Sequence, residues 1–207
     1  MVEKEIKIPH KNKYLAEFVG IILGDGNIYV FKRKGVYQIK ITTHAITDRK
    51  YLIKFVSPLI QNLFGVKGSI SFDKGRHGVN LRLASKRLVF YLISIGLKEG
   101  DKIKNKVTIP KWITKKKSLL IACIRGLIDT DGTVFEKKRG SKRFTIGFKS
   151  NNPRLLKQVR MKFTELGFHP TRTHTNAFFL CRKAEIELFI KRIGFHNDKH
   201  SSKCVPC

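Results

Sequence analysis

The chain has 207 residues, 42% of them apolar, which is enough for one or two folded domains with a sizeable core. Lysine and arginine total 43 against 15 aspartate and glutamate residues, and this net charge of +28 is spread along the whole chain. The composition excludes a disordered polycation, and no apolar run is long enough for a transmembrane helix. The charged start is not a signal peptide, so we expect a soluble intracellular protein (cytoplasm, nucleoid or organelle). Its partner is expected to be a large polyanion, although charge alone does not separate a nucleic acid from an anionic membrane.

The first half alternates helical and strand patterns after a basic lead-in. The predicted elements are a helix over Tyr14–Asp25, a hairpin of Ile28–Arg33 and Val36–Thr43, a helix over Asp48–Phe64 that Pro58 should kink or restart, a hairpin of Ser69–Asp73 and Val79–Ala84 around a turn at Lys74–Gly78, and a helix over Ser85–Ile95 closed by Gly96.

A basic connector, Leu97 to Lys117, follows, and we expect it to cross the surface with Val107, Ile109, Trp112 and Ile113 as anchors. The second half then repeats the order. Its predicted elements are a helix over Ser118–Asp131 with Ser118 as N-cap, strands over Thr133–Lys138 and Arg143–Ser150 around Arg139–Ser141, a helix over Asn152–Leu166 capped by Asn152, strands over Pro170–His174 and Ala177–Arg182, and a helix over Lys183–Ile193 closed by Gly194.

One short segment occurs twice, as Phe18–Gly26 and as Ile124–Gly132. Each copy is an apolar run that ends in Asp-Gly and carries small residues four apart. Residues four apart share a helix face, and small ones there let two helix backbones approach closely. The small residues are Gly20 with Gly24 and Gly126 with Thr130, and the final glycines, Gly26 and Gly132, are predicted to end each helix as C′ residues.

The aspartates before those glycines are badly placed for stability, because a helix C-terminus repels a carboxylate by about 0.3–1 kcal/mol. A local rule broken twice at matching positions indicates a functional site. If the two helices pack through their small faces, Asp25 and Asp131 meet at one end of the pair. Two close carboxylates need a cation between them, and oxygen ligands of this kind suit Mg²⁺. The alternative is a pair of ordinary core helices with glycine caps.

These two segments resemble the motif of the LAGLIDADG homing endonucleases, loosely in the first copy and well in the second. The sixth motif letter is Leu23 in one copy and Asp129 in the other, whereas the eighth is acidic in both, as Asp25 and Asp131. The resemblance to the single-chain, two-motif type implies an α+β fold of two pseudo-symmetric αββαββα halves. Each half would have a four-stranded antiparallel sheet with helices on one face. The expected division is residues 1–97 and 118–195 for the halves, 98–117 for the connector and 196–207 for a tail.

The resemblance also implies a site-specific double-strand DNA endonuclease, associated with an intron or an intein. It would cut one phosphodiester per strand across the minor groove and leave short 3′ overhangs, acting as a monomer on a long target that is pseudo-palindromic or asymmetric. Asp25 and Asp131, helped by the carbonyls of Gly24 and Thr130, would bind Mg²⁺, for which Mn²⁺ can substitute. The basic residues that the family places at the edge of the site match Lys102 and Lys199, with Lys98 and Lys104 competing for the first of these roles.

The outward faces of the strands are rich in the cationic, amide and aromatic side chains that suit a DNA groove. The alternative is an ordinary solvated sheet face. The predicted DNA contacts are Tyr29, Phe31, Arg33, Gln38, Lys40, Thr42, Ser69, Ser71, Asn80, Arg82, Phe135, Lys137, Arg139, Thr145, Lys149, Arg172 and His174.

The cysteines are too few for a disulfide scaffold. Cys123 and Cys181 lie in apolar runs and are expected to be inert core thiols. The tail residues His196, His200, Cys204 and Cys207 have spacings compatible with structural Zn²⁺, the alternative being a frayed end with free or paired cysteines.

Two other functions fit parts of the sequence. An RNA maturase or a non-cleaving DNA-binding regulator would keep the fold, although both motif aspartates are intact. A basic RNA-binding structural protein would explain the charge but not the duplicated Asp-Gly helices. Single residues do not specify the target site, because base contacts depend on register and DNA shape.

Overall fold

The two halves of the chain each form an antiparallel sheet with helices on one face, as a computed structural model shows for residues 6–73, 77–137 and 143–204. The elements of the first half are α1 Lys13–Gly24, β1 Gly26–Phe31, β2 Val36–His44, α2 Arg49–Tyr51, α3 Ser57–Phe64, β3 Ser69–Phe72, β4 Gly78–Ala84 and α4 Lys86–Ser94. The strand order in its sheet is β1-β2-β4-β3, with all neighbours antiparallel.

The elements of the connector and second half are α5 Lys111–Thr114, α6 Lys117–Asp131, β5 Gly132–Glu136, β6 Phe144–Lys149, α7 Pro153–Glu165, β7 Ala177–Leu180, α8 Lys183–Arg192 and α9 Asp198–Cys204. The second sheet has the order β5-β6-β7. The predicted α+β architecture is therefore confirmed. None of the described helices is both long and apolar enough to cross a membrane.

The second sheet is one strand short of the prediction within the described residues. The segment predicted as a strand at residues 170–174 runs beside β7 with scattered backbone hydrogen bonds. Thr171 N–H donates to Phe179 O at 2.9 Å, and His174 and Ala177 exchange two bonds at 3.0 and 3.1 Å as an isolated bridge. Pro170 has no N–H to donate, and Thr175 takes a positive φ of 54°, so a regular ladder does not form there.

The prediction that Pro58 kinks or restarts its helix is confirmed, since α3 begins at Ser57 with Pro58 in its first turn. A π turn over Leu52–Val56 joins α2 to α3, and the N–H of Ser57 donates to the carbonyl of Leu52. The wider turn lies just before Pro58, which could not have donated to an α-helical carbonyl.

Two predicted helix caps have different outcomes. Asn152 caps α7 as predicted, because its side chain accepts from the N–H groups of Arg154 and Leu155. The prediction for Ser118 is wrong, since α6 begins at Lys117 with no side-chain cap. The predicted turn centres at Lys74–Arg76 and Arg139–Ser141 lie outside the described residues. The expected domain boundaries stay predictions.

Helices α1 and α6 pack against each other through their small residues at the centre of the molecule. A Cβ added to Gly20 would lie 2.2 Å from the carbonyl oxygen of Cys123, and one added to Gly126 would lie 2.4 Å from that of Glu17. One on Gly24 would lie 2.0 Å from Thr130 Oγ1. The close approach predicted from the fourfold spacing is therefore confirmed.

Gly26 and Gly132 do not end their helices in a left-handed conformation, which corrects the prediction of C′ glycines. Neither has a positive φ, and both begin strands. They are glycines for a steric reason: a Cβ on Gly26 would lie 2.5 Å from Ile22 Cα, and one on Gly132 would lie 2.2 Å from Ile128 O. Each strand thus leaves directly over the last turn of its helix.

The core thiol prediction holds for one cysteine only. Cys123 is fully buried in α6, and burial raises the pKa of its thiol well above the usual value. Cys181 is exposed and lies just after β7.

Candidate active site at the motif helix ends

The carboxylates of Asp25 and Asp131 meet where α1 and α6 end. Asp25 caps α1, and Asp131 is the last residue of α6. A Cβ on Gly24 would lie 3.6 Å from the carboxyl carbon of Asp131, so the end of one helix touches the acid of the other. The structure therefore brings together the two residues that the repeated motif singled out.

Both carboxylates are held in a poorly solvated place. The pKa of Asp25 is raised to about 7, first by burial and then by the charge of Asp131. The pKa of Asp131 is raised to about 6 by burial, against the opposing effect of Lys102 and Lys199. Paired acids with raised pKa values are typical of functional sites.

The donor set fits a hard divalent cation. Neither carboxylate forms a hydrogen bond or an ion pair with any described residue, so their oxygens are available as ligands. Mg²⁺ in proteins is commonly bound by one or two carboxylate ligands. The carbonyl of Gly24 already accepts from the ammonium of Lys102, and the role of this carbonyl and that of Thr130 as ligands stays a prediction.

Lys102 is the lysine that the connector brings to this site. Its Nζ donates to the carbonyls of Leu23, at 3.0 Å, and Gly24. The competing Lys98 instead donates to Asn105 O at 2.9 Å, and Lys104 is exposed. Burial lowers the pKa of Lys102, although the charges of Asp131 and Asp25 oppose the shift.

Lys199 reaches the site from the tail. Its Nζ lies 2.8 Å from Oδ1 of Asp48, which also accepts from Asn197 Nδ2 at 2.7 Å. Burial alone would raise the pKa of Asp48, but hydrogen bonds from Lys199, Thr47 and Asn197 hold it below its usual value. Sequence reasoning missed Asp48 and Asn197. For Asp48 the sequence did contain a signal: Asp48 and Asn152 stand at the N-cap positions of matching helices in the two halves.

Asp129, the sixth letter of the second motif, anchors the segment that leads to Lys199. Its fully buried carboxylate accepts from the N–H groups of His196, at 3.0 Å, and Asn197, at 3.2 Å. The amide of Asn197 in turn donates to the carbonyl of Asp129 at 2.9 Å. The first motif has Leu23 at this letter, and there the carbonyl contacts Lys102 instead. The two copies therefore hold their lysines by different chemistry.

Glu17 and His196 add a second anchor beneath the site. Glu17 Oε1 lies 2.6 Å from His196 Nδ1 and 3.4 Å from Arg125 Nε. Among the described residues, the one group of three acidic, histidine or cysteine side chains whose ligand atoms all lie within 4.8 Å of one another is Glu17, Asp129 and His196. Both Asp129 oxygens already accept backbone N–H groups, which makes this cluster an anchor of the tail.

The predicted zinc ligands are not brought together within the described part of the tail. His196 faces Glu17, whereas His200 is buried with its ring 5.4 Å from that of Phe195. Cys207 lies outside the described residues. Zinc at these positions stays a prediction.

Each motif aspartate is influenced most by a different one of the two lysines. The charge of Lys102 acts on Asp131 more strongly than that of Lys199, while Lys199 acts more strongly on Asp25 than Lys102 does. Lys102 and Asp131 also line one cavity of about 350 Å³, together with Asn152. We refer to Asp25 with Lys199, and to Asp131 with Lys102, as two half-sites.

Most of the predicted DNA contacts lie on the outer sheet faces. The exposed ones are Tyr29, Phe31, Arg33, Thr42, Ser69, Arg82, Phe135, Lys137, Lys149, Arg172 and His174, and the half-buried ones are Gln38, Lys40 and Ser71. The aromatic rings are substantially exposed, Tyr29 at 46% and Phe135 at 43%. Arg139 lies outside the described residues.

Two of the residues predicted to be exposed for DNA contact are in fact buried. Asn80 is fully buried, because its amide accepts from Thr42 Oγ1 at 2.8 Å and donates to Asp73 Oδ1 at 2.7 Å. Thr145 is 4% exposed and is paired with Phe135 on the neighbouring strand. Both side chains face the outer side of their sheets but are covered by their neighbours.

This arrangement of two sheets and two central helices is shared with solved structures of homing endonucleases. Residues 118–194 match the family model of the LAGLIDADG-like domain. The chain is homologous to the homing endonuclease I-DmoI of Desulfurococcus mucosus, with 36% identity over 87 residues, which are 39% of this chain and 43% of the relative. That sequence match thus spans less than half the length of the relative.

Solved structures extend the likeness to most of the chain. The structure of I-DmoI in complex with DNA and calcium has a TM-score of 0.60 at 25% identity, over 87% of this chain and 88% of that one. The meganuclease I-SmaMI bound to uncleaveable DNA has a TM-score of 0.58 at 13% identity, over 95% and 88% of the two chains, which shows a shared fold.

Proposed function

We propose that this protein is a site-specific, metal-dependent DNA endonuclease of the homing type. The observation that carries the proposal is the meeting of Asp25 and Asp131 at one end of the α1–α6 pair, with Lys102 from the connector and Lys199 from the tail close enough to act on both carboxylates. The likeness to I-DmoI supports it, since structures of that enzyme are described as complexes with DNA and calcium or with DNA and manganese.

Asp25 and Asp131 would hold the metal, which we propose to be Mg²⁺, with Mn²⁺ able to substitute. When bound, the metal would activate a water nucleophile and stabilise charge on the leaving oxygen. The protein must supply deprotonated carboxylates to bind it, and the raised pKa values of both acids therefore make metal binding stronger as pH rises from 6 to 8.

The lysines would act on the phosphate itself. Lys102 Nζ is oriented by two carbonyl oxygens, and Lys199 Nζ by the carboxylate of Asp48. A positioned ammonium can bind a non-bridging phosphate oxygen and stabilise the charge that develops in the transition state. Two such units at a pseudo-dyad suit one cut in each strand across the minor groove, which would leave short 3′ overhangs.

The outer faces of the two sheets would bind the target. Arg82 and Lys149 are exposed there among aromatic side chains, and Arg33 is exposed in the short turn Lys32–Lys34 that follows β1. Such residues contact phosphates and base edges in a major groove. We propose that one chain acts as a monomer inside the cell on a long target, and that its gene belongs to an intron or an intein.

The RNA maturase and the non-cleaving DNA-binding protein are the alternative functions on this fold. Intact and adjacent Asp25 and Asp131 favour the nuclease over both. A selection of cleaved sites from a random duplex library, with Mg²⁺ and with chelator, tests the proposal. Site-specific double-strand cuts that need the metal are expected. Recovery of no cleaved site, with tight RNA binding, would favour the maturase.

Salt dependence tests the sheet surface separately. A surface with this charge should contact many phosphates, so the logarithm of the affinity for the selected duplex should fall steeply with the logarithm of salt concentration. A nearly flat dependence would contradict the proposed DNA-binding face.

A further inference from the structure

The two half-sites differ in charge. In one, Asp131 faces Lys102, whose ammonium donates to the neutral carbonyls of Leu23 and Gly24. In the other, the charge of Lys199 acts on Asp25 more strongly than that of Lys102, and the Lys199 ammonium is paired with a second carboxylate, Asp48. The half-site of Asp131 and Lys102 therefore has one carboxylate and one ammonium. The half-site of Asp25 and Lys199 has two carboxylates, Asp25 and Asp48, for one ammonium.

The pair of Asp48 and Lys199 is well sheltered. The side chains are only 6% and 24% exposed, so water and salt screen their attraction weakly. Oδ1 of Asp48 accepts from Lys199 and Asn197, and Oδ2 accepts from Thr47 Oγ1 at 2.7 Å. This carboxylate is fixed from both sides and holds the ammonium in one place.

The matching residue of the other half has no charge. Asn152 uses its amide nitrogen to bind the carbonyls of Lys102, at 3.2 Å, and Val107, at 2.7 Å. It holds the backbone that carries the lysine and leaves the ammonium itself alone. The cavity of about 350 Å³ lies on this side and is lined by Lys102, Asp131 and Asn152.

We propose that Asp48 is a positioning residue that restrains Lys199, so that the half-site of Asp131 and Lys102 cuts its strand first and the half-site of Asp25 and Lys199 cuts second. To bind a phosphate, Lys199 must exchange a carboxylate partner for it, and Asp48 also repels the incoming phosphodiester. Lys102 exchanges only neutral carbonyls. The proposal of strand order rests on the proposed endonuclease function.

Strand-resolved kinetics test the order. The duplex recovered by selection, labelled differently on each strand, is cut by the wild type and by Asp48→Asn, which removes the charge but keeps the size. The wild type should accumulate one nicked species. In Asp48→Asn the second cut should accelerate by about tenfold, the effect of weakening one charge-assisted hydrogen bond, and the nick should no longer accumulate.

Asp198→Asn is the matched control. It makes the same charge change one residue from Lys199, at an exposed side chain that pairs with Lys50. It should leave the delay between the two cuts unchanged. Equal rates on both strands in the wild type, or a slower second cut in Asp48→Asn, would overturn the proposal.

Lysine reactivity tests the restraint without any cleavage. Brief treatment of the full chain with acetic anhydride, followed by mass spectrometry, reports how freely each amine reacts. Asp48→Asn should raise the acetylation rate of Lys199 several-fold and leave that of Lys102 unchanged, and Asp198→Asn should change neither. An unchanged rate at Lys199 would overturn the restraint. If the wild type cleaves no duplex, the proposed function fails and the strand order fails with it, while acetylation still decides whether Asp48 holds Lys199.

Discussion

The Oε1 atom of Glu17 lies 2.6 Å from Nδ1 of His196, and this contact joins the first motif helix to the segment that follows the second half. The Glu17 side chain is only 4% exposed, so it needs a partner in the folded state. The ring of His196 also lies 4.1 Å from that of Phe55, which fixes it from a second direction. The pair therefore ties the first half to the tail that carries Lys199, and Arg125 of α6, 3.4 Å from the same Glu17 oxygen, adds a link to the second half.

Removing His196 should destabilise the fold. His196→Ala leaves Glu17 with Arg125 alone, and we expect a loss of about 1–3 kcal/mol in the free energy of unfolding, measured by urea titration. Glu17→Gln and His196→Ala together should cost less than the sum of the two single changes. His169→Ala is the control, because His169 is 68% exposed and its pair with Glu185 should contribute at most about 1 kcal/mol. Strict additivity of the two changes would show that the contact carries no energy.

The close contact between α1 and α6, which we call the helix seam, predicts that glycine-to-alanine substitutions there destabilise the protein, the opposite of their usual effect in a helix. Replacing glycine by alanine inside a helix normally stabilises by about 0.5–1 kcal/mol. At Gly20 and Gly126 the added Cβ would meet backbone carbonyls at 2.2 and 2.4 Å. We therefore expect Gly20→Ala and Gly126→Ala each to destabilise by about 1–3 kcal/mol or more, the range for overpacking. Thermal unfolding of the two variants measures this, and a stabilised variant would contradict the packing.

The helix seam and the aspartate pair were predictable because each depends on a short sequence pattern that occurs in both copies of the repeated segment. Small residues four apart specify a helix face, and Asp-Gly at the end of each copy specifies where the acids lie. Asp48 and Asn197 were not predictable in this way, because their roles depend on contacts between distant segments. Residues 170–174 alternate like a strand, but Pro170 and the positive φ at Thr175 prevent a ladder.

His200 should make stability depend on pH. Burial lowers its pKa to about 4, and neither ring nitrogen has a partner among the described residues. In the unfolded chain a histidine has a pKa of about 6.5, so the unfolded state binds more protons between these values. The free energy of unfolding is therefore not reduced by His200 above pH 6.5. It falls progressively between pH 6.5 and 4, by about 3 kcal/mol in total.

The comparison with His200→Leu isolates this effect. Asp25 and Asp131 have raised pKa values and contribute pH dependence of the opposite sign, but they are present in both proteins. Urea titrations at a series of pH values should show the wild type losing stability relative to the variant as pH falls from 6.5 to 4. A constant difference would mean that His200 takes up its proton as readily in the folded state as in the unfolded state.

The two motif aspartates should divide the work between the strands. Asp→Asn keeps size and hydrogen-bonding capacity but removes the charge that holds a metal. Asp25→Asn and Asp131→Asn should each lower cleavage by at least about two orders of magnitude, on one strand if the metals are independent and on both if one metal is shared. Binding to the duplex should be retained, because the affinity lies in the sheets.

The most direct test of the proposed catalytic centre is cleavage of a strand-labelled duplex by the Asp25→Asn, Asp131→Asn double variant in Mg²⁺. The duplex is the one selected with the wild type, and binding is measured on the same samples. We predict binding within a few-fold of the wild type and no cut in either strand. Full double-strand cleavage by the double variant would contradict the assignment of catalysis to these two residues.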